Sequence, residues 1–219
     1  LAVKHRARHE DQKEARRQSI LQAAWELFQQ RRYDDINVID VARAVGLAKG
    51  TVYLYFKTKE ALFLEVQKQQ FLTLFETLDA QLSQLDAPAT IQQVTAVITQ
   101  AFVARPALNR LFAILHVVLE RNIDYETAVN LKRAILARML QTGQILEETL
   151  LFLGSGQGAA VLQQAYALMI GVQHLADPAA VVLEVFEKEP TLRAFEVDFG
   201  ETFAATLHTL FIGLQAEQG

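Results

Sequence analysis

The sequence predicts an all-α protein with a small three-helix head over residues 1–60 and a larger helical bundle over residues 61–219. Apolar residues recur three and four positions apart along most of the chain, the period of a helix with one buried face. Only 4 prolines interrupt 219 residues, so these periodic stretches run long. The segment Asn37 to Glu60, NVIDVARAVGLAKGTVYLYFKTKE, reads as two short helices meeting at Gly46, with a third helix starting after Lys57.

Residues 1–18 form a polar, mildly basic arm. Its Lys4, Arg6, Arg8, Lys13, Arg16 and Arg17 suit a phosphate backbone, and equally a frayed end. The arm lacks the sustained apolar face of a membrane-surface helix. A helix follows from about Gln12 to Gln30, its buried stripe made of Ile20, Ala23, Ala24, Leu27 and Phe28 with Trp25 packed beside it. Tyr33 and Ile36 close this core from the next turn. Asn37 is the expected N-cap of the second helix, and Asp40 answers it as a weak capping box. Val38, Val41, Ala42 and Val45 line that helix, and Gly46 supplies the left-handed backbone of the corner.

The helix after the corner carries Val52 and Phe56 on one face and Thr51 and Tyr55 on another, with Lys49 and Tyr53 nearby. At an expected seven or eight residues it has the size to enter a major groove. The same spacing is compatible with a helical hairpin inside a larger all-α core. A long helix is expected from about Thr58, its N-cap, to Leu85, lined by residues such as Leu62, Phe63, Val66, Leu74 and Leu78. Lys59 stands at the positive end of that helix dipole, a placement that makes electrostatic sense opposite a phosphate.

Asp86, Ala87 and Pro88 break the chain. Helices are expected at about 88–103, 106–119, 124–150, 158–175 and 192–213, with a shorter helix or turn near 178–187. Arg105 and Pro106 form a stop and restart, and Asp124 is the expected cap of its helix. The run LFLGSGQG from Leu151 to Gly158 lacks the lysine and strand context of a phosphate loop, so it reads as a helix–helix turn. Glu147 and Glu148 are expected to face solvent. No charged residue occurs from Thr149 to Ala176, but Ser155, Gln157, Gln163, Gln164, Gln173 and His174 interrupt it, leaving no membrane span. A helix so poor in charge needs cover on nearly every side, and a second copy of the chain would supply part of it. The last helix, with Phe199, Phe203, Leu207, Phe211 and Leu214, has a similarly wide apolar face.

Chemistry is sparsely supplied. The five histidines, His5, His9, His116, His174 and His208, form no HxxxH or HExxH set. His116 and Glu120 share a helical face, as a polar patch in a cavity, as a metal fragment missing its other ligands or, the more ordinary reading, as a satisfied pair at a core edge. Arg110 and Arg121 are candidate contacts for an anionic ligand, with salt bridging the ordinary reading. There is no cysteine, which excludes thiolate chemistry and disulfides. No catalytic residue, metal site or cofactor is expected, and the chain is read as a non-enzyme. The opening LAVKHRARHEDQKEARR holds no apolar signal-like run, so a cytoplasmic location is expected.

The net charge of −4 is unevenly spread: residues 1–60 carry 12 Lys and Arg against 8 Asp and Glu, while the remainder carries 9 against 17. That asymmetry suits a nucleic-acid-reading head on an acidic body, though charge runs also mark plain solvated surface. The body is rich in aromatic residues, which are core in most bundles. If it encloses a cavity, the candidate lining is Phe102, Asn109, Phe112, His116, Tyr125, Gln144 and Tyr166.

From Ile20 to Phe63 the chain resembles the TetR family of bacterial transcriptional repressors. The resemblance rests on the paired alanines and Leu-Phe of the first helix, Tyr33, the Asp-Val-Ala of the second helix, Val-Gly-Leu at the turn, and KGTVYLYF followed by Lys-x-Lys-Glu. Arg32 replaces the family's usual glycine, and Ala48 stands where a capping serine is common. The resemblance implies a helix-turn-helix DNA-binding head and an effector-binding, dimerising bundle. It implies base-edge contacts from Lys49, Gly50 and Tyr53, and phosphate contacts from Thr51, Tyr53, Tyr55 and Lys59. The implied partners are a palindromic double-stranded operator, a second copy of the chain paired through its last two major helices, and a small effector bound between the body helices, which their aromatic content makes a largely apolar one; no membrane partner is expected. The alternative is a helical small-molecule-binding or scaffold protein whose head no longer reads DNA.

Overall fold

A computed structural model describes residues 2–217, with side chains for all of these except 2–9 and 122. Among the described residues the chain forms ten α-helices and no strand. They are α1 (Ala2–Gln30), α2 (Val38–Ala44), α3 (Lys49–Tyr53), α4 (Lys59–Leu82), α5 (Ile91–Val103), α6 (Pro106–Ile114), α7 (Tyr125–Thr149), α8 (Gln157–Ala176), α9 (Ala180–Lys188) and α10 (Phe199–Ala216). No single helix among the described residues is long and apolar enough to cross a membrane. Backbone contacts divide the chain into two compact units. One runs to Gln70 and takes in Ile114–Ala128; the other comprises Phe71–Ala113 and everything from Val129.

In the first unit, α1, α2, α3 and the start of α4 enclose a small core. Ile20, Ala24, Val41, Val52, Leu62 and Phe63 are all but inaccessible to solvent. Phe63 is its hub: the Phe28 ring lies 5.8 Å from it at a tilt, and the Tyr33 ring meets it edge-on at 5.1 Å. Such edge-to-face pairs add about 0.5–1.5 kcal/mol to the burial of the rings themselves. Ile114–Ala128 contributes a π turn over Leu115–Leu119, a 3-10 turn over Glu120–Asn122 and the start of α7. That start is capped as expected, Thr127 N donating to Asp124 Oδ1 at 2.9 Å. The hydrogen bonds from Thr127, backbone first, hold the Asp124 carboxyl below its ordinary pKa.

In the second unit α10 packs on α5 and α8. Phe203, Leu207 and Phe211, four residues apart on α10, are completely buried, and Phe203 meets Phe102 of α5 edge-on at 5.4 Å. A polar clasp ties α4 to α7: Asp79 accepts from Arg138 Nη2 at 2.7 Å and from the Thr142 hydroxyl. Both ionic partners are mostly withdrawn from solvent, so loss of either leaves an uncompensated charge. The α7–α8 crossing is closer still. A Cβ on Gly158 would lie 2.0 Å from the Gly143 carbonyl oxygen, and one on Gly143 would lie 2.5 Å from Ala159 N. Only glycine fits either position.

Several boundaries differ from the sequence reading. The first body helix begins at Ile91, not near 88, because Thr90 and Gln93 form a capping box there. The helix after Pro106 ends at Ile114 and gives way to the π and 3-10 turns, where a continuous helix to 119 is expected. The last helix starts at Phe199 rather than 192: Pro190 opens a 3-10 turn over Pro190–Phe195, and Asp198 caps α10 through Glu201 N at 2.8 Å. Glu147 does not face solvent. It is half-buried and accepts from Gly158 N at 2.8 Å, holding the start of α8 onto α7. Glu148 is exposed as expected.

The glycine crossing is directly testable. Gly158→Ala forces a methyl onto a backbone carbonyl, and the expected loss is about 3 kcal/mol of stability, the upper range for overpacking. A denaturant titration against the unsubstituted chain measures it; a loss under about 1 kcal/mol would mean the helices separate at little cost.

Candidate nucleic-acid interface

The helix-turn-helix is built from its caps inward. Asn37 Oδ1 accepts from Ile39 N at 2.9 Å and Asp40 N at 3.1 Å, while Asp40 Oδ2 accepts from Asn37 N at 3.0 Å, a complete capping box. α2 stops at Ala44, and Gly46 turns the chain with φ +67°, a conformation costly for any residue with a side chain. α3 then starts at Lys49 with no side-chain cap, Ala48 having none to offer. It spans five residues, shorter than expected, and Leu54 continues its helical backbone before the chain turns through Tyr55 and Phe56. An uncapped start and the weak helix former Gly50 in the first turn account for the shortness.

What α3 buries is as informative as what it leaves out. Val52 is fully buried and Phe56 nearly so. Lys49, Gly50, Tyr53 and Leu54 are exposed, and Thr51 and Tyr55 are half-buried. The Lys49 ammonium lies 5.7 Å from the centre of the Tyr53 ring. Nothing stands within 4 Å of where a Gly50 Cβ would be, so the helix start is open to close approach by another backbone.

Lys59, one helix later, is held inward. Its Nζ donates to the Tyr33 carbonyl at 2.5 Å and sits 3.7 Å from the centre of the Tyr33 ring. Burial holds the Lys59 pKa below its ordinary value, with Asp34, Glu60 and Asp35 acting in the opposite sense. Burial, reinforced by Glu60, pushes the Tyr33 hydroxyl above its ordinary range. An ammonium has three donors, so the bond to Tyr33 leaves capacity for a further acceptor. Thr58 caps α4 through Ala61 N at 3.0 Å, as expected. Arg17 braces the other side, its guanidinium 5.2 Å over the Phe56 ring and 2.6 Å from Glu65.

The cavity candidates fall into separate groups. Phe102, Asn109 and Phe112 are buried in the second unit, Asn109 donating to the Phe102 carbonyl at 3.0 Å. Tyr166 of α8 meets Phe112 edge-on at 5.5 Å. Gln144 is exposed and donates to Glu148 at 3.1 Å. His116 and Tyr125 belong to the first unit and are exposed, His116 lying 2.8 Å from Glu120. Among the described residues no three His, Cys, Asp or Glu side chains gather as metal ligands.

The family of bacterial regulatory proteins described as tetR matches residues 20–66, and the tetracyclin repressor-like C-terminal domain matches residues 68–218. The second match alone covers more than half of the sequence. The chain belongs to the TetR family.

TetR proteins are regulators rather than enzymes. The fatty acid metabolism regulator protein of Bacillus subtilis (strain 168) is 25% identical over 145 residues, 62% of this chain and 74% of that protein. The uncharacterized HTH-type transcriptional regulator YvdT of the same organism is 37% identical over 62 residues, 28% of this chain and 30% of that protein. Among solved structures, the fatty acid degradation regulator FadR from Bacillus halodurans is similar with a TM-score of 0.56 at 18% identity, covering 90% of this chain and 97% of that one. That likeness is one of fold.

Two features of the TetR head escaped the sequence reading. The Tyr33 carbonyl that holds Lys59 is invisible in a one-dimensional pattern, because the two residues lie 26 positions apart. Leu54, between Tyr53 and Tyr55, is the variable position of the Tyr-x-Tyr-Phe pattern and carries no expected contact. The Lys59 contact predicts a stability effect independent of any ligand. Lys59→Met keeps the aliphatic stem over Tyr33 and deletes the ammonium. It should cost about 1 kcal/mol, the lost bond being partly offset by the desolvation no longer incurred. Thermal melting of the protein alone checks this, and an unchanged or raised midpoint would show that the contact contributes nothing.

Proposed function

We propose that this TetR-family chain is a dimeric transcriptional repressor that binds a palindromic duplex operator and is released by a small, largely apolar effector. The observation that carries the reading is the one-sided burial of α3: the head covers Val52 and Phe56 and leaves a short helix face outside, with an open backbone at Gly50. In this reading Lys49, Gly50 and Tyr53 approach base edges, while Thr51, Tyr53, Tyr55 and Lys59 donate to phosphates. The excess of basic residues in the first 60 positions supports it.

Dimerisation is assigned to α8 and α10. Gln157–Ala176 carries no charged residue, and α10 carries one, Glu201. Their outward positions include exposed Ala167 and two glycines, Gly171 and Gly213, with open space where a Cβ would sit. Small outward residues allow two helix pairs to approach closely.

The effector site is assigned to the body around Phe112 and Tyr166. Asn109, three positions before Phe112 on α6, is buried there with its Oδ1 lacking a hydrogen-bond partner among the described residues. Buried polar atoms left unpaired cost about 1–3 kcal/mol each, and an apolar ligand with one polar end would relieve that. The relative from Bacillus subtilis, a fatty acid metabolism regulator by name, supports the apolar class.

A duplex-binding assay with salt titration tests the first claim. A repressor shows sequence preference and a steep salt slope, and Lys59→Ala, with folding verified, lowers that slope by roughly 1. Salt-sensitive binding without sequence preference would favour a helical scaffold or carrier whose head has lost its operator. Sedimentation tests the second: Ala167→Glu places an unpaired charge in the proposed seam and should shift the dimer to monomer at micromolar concentration. A substituted protein that stays dimeric removes α8 from the seam.

A further inference from the structure

Leu54 is the most solvent-exposed of the large apolar side chains among the described residues, at 82%. Isolated exposed leucines are ordinary on protein surfaces, so exposure alone assigns nothing. Its place on the helix does. Leu54 keeps helical backbone angles, φ −70° and ψ −23°. At about 100° per residue it stands about 200° round from Val52, the side chain that α3 buries, and the same back from Phe56, whose amide still donates to the Val52 carbonyl at 3.0 Å. It is therefore the outermost point of the helix. One turn earlier, on the same crest, is Gly50 with nothing beside its α-carbon. Lys49 and Tyr53 lie on one flank of the crest, and Thr51 and Tyr55 lie on the other. The outward face thus has an apolar ridge between two rows of hydrogen-bonding groups.

Resting on the operator reading above, we infer that Leu54 reads the 5-methyl group of a thymine in each half-site and is a specificity-determining residue. The flanking lysine and hydroxyls can donate to phosphates or to base acceptors, but a leucine has neither donor nor acceptor. Of the groups displayed by the four base pairs in the major groove, the thymine methyl is the apolar one. A side chain at the crest, ahead of both polar rows, meets the floor of the groove first. Gly50 lets the helix come near enough for that contact.

The experiment uses the full-length protein and duplexes it selects from a randomised pool. Each thymine of the preferred duplex is replaced in turn by deoxyuridine, which removes the methyl and keeps every hydrogen-bonding group. At one position per half-site, the unsubstituted protein should lose roughly fourfold in affinity, and about 16-fold when both halves are replaced. Leu54→Ala should bind the thymine duplex more weakly and no longer distinguish it from the deoxyuridine duplex at that position. Leu54→Met, which keeps apolar reach, should retain the distinction. Circular dichroism and melting should be unchanged in both variants, as expected for so exposed a side chain.

Indifference of the unsubstituted protein to deoxyuridine at every position overturns the inference, while leaving operator binding intact. Undiminished discrimination by Leu54→Ala overturns it too, since another residue then reads the methyl. Conversion of the dimer to monomer by Leu54→Ala overturns it by making the side chain a protein contact. Failure of the pool to yield any preferred duplex removes the operator reading itself, and this inference with it.

Discussion

Val52 of the five-residue α3 and Phe56, three residues beyond its end, enter the core of the head from the same side, and the character of α3 follows from that. A helix this short has no stability of its own in water, and this one lacks an N-terminal side-chain cap as well. Burying a valine and a phenylalanine contributes about 1.5–3 kcal/mol each, enough to hold the segment helical while it is docked. Docking through two residues i and i+4 fixes rotation about the helix axis. Every other side chain of α3 is thereby assigned to the outside or to a flank without further interactions.

Around this anchor the head distributes its polar groups economically. The capping box of Asn37 and Asp40 fixes where α2 starts, and Gly46 fixes where it turns, so α3 leaves the corner in one direction. Arg17 stacks over Phe56 and bonds Glu65, covering the buried ring from the α1 side. Lys59 lies over Tyr33 with its ammonium on the Tyr33 carbonyl, so a residue at the positive end of α4 also fastens the segment after α1. A structural role and a phosphate role are compatible for an ammonium, because its three protons point in different directions.

The second unit depends on different devices. Its aromatic stripe on α10 excludes water, but register is set by closer contacts: the glycine pair where α7 crosses α8, and the Asp79 carboxylate clasped by Arg138 and Thr142. Glu147 closes the same crossing by accepting from the Gly158 amide. A carboxylate there satisfies an amide at the beginning of α8 that has no partner within its own helix.

The sequence by itself determined the helical class, the capping of α2 by Asn37, the corner at Gly46, the cap at Thr58 and the buried faces of α1 and α10. Each of these depends on residues within a few positions of one another, where helical periodicity and capping chemistry act. Membership in the TetR family was legible for the same reason, since KGTVYLYF and its neighbours form one contiguous stretch. Only the tertiary structure decided that the helix after Pro106 breaks at Ile114. It alone turned Glu147 inward, folded Lys59 onto Tyr33, buried Phe102, Asn109 and Phe112, and left His116, Tyr125 and Gln144 exposed. The contacts of Glu147 and Lys59 join residues 11 and 26 positions apart, and a local pattern carries no information about which distant atom will complete a hydrogen bond.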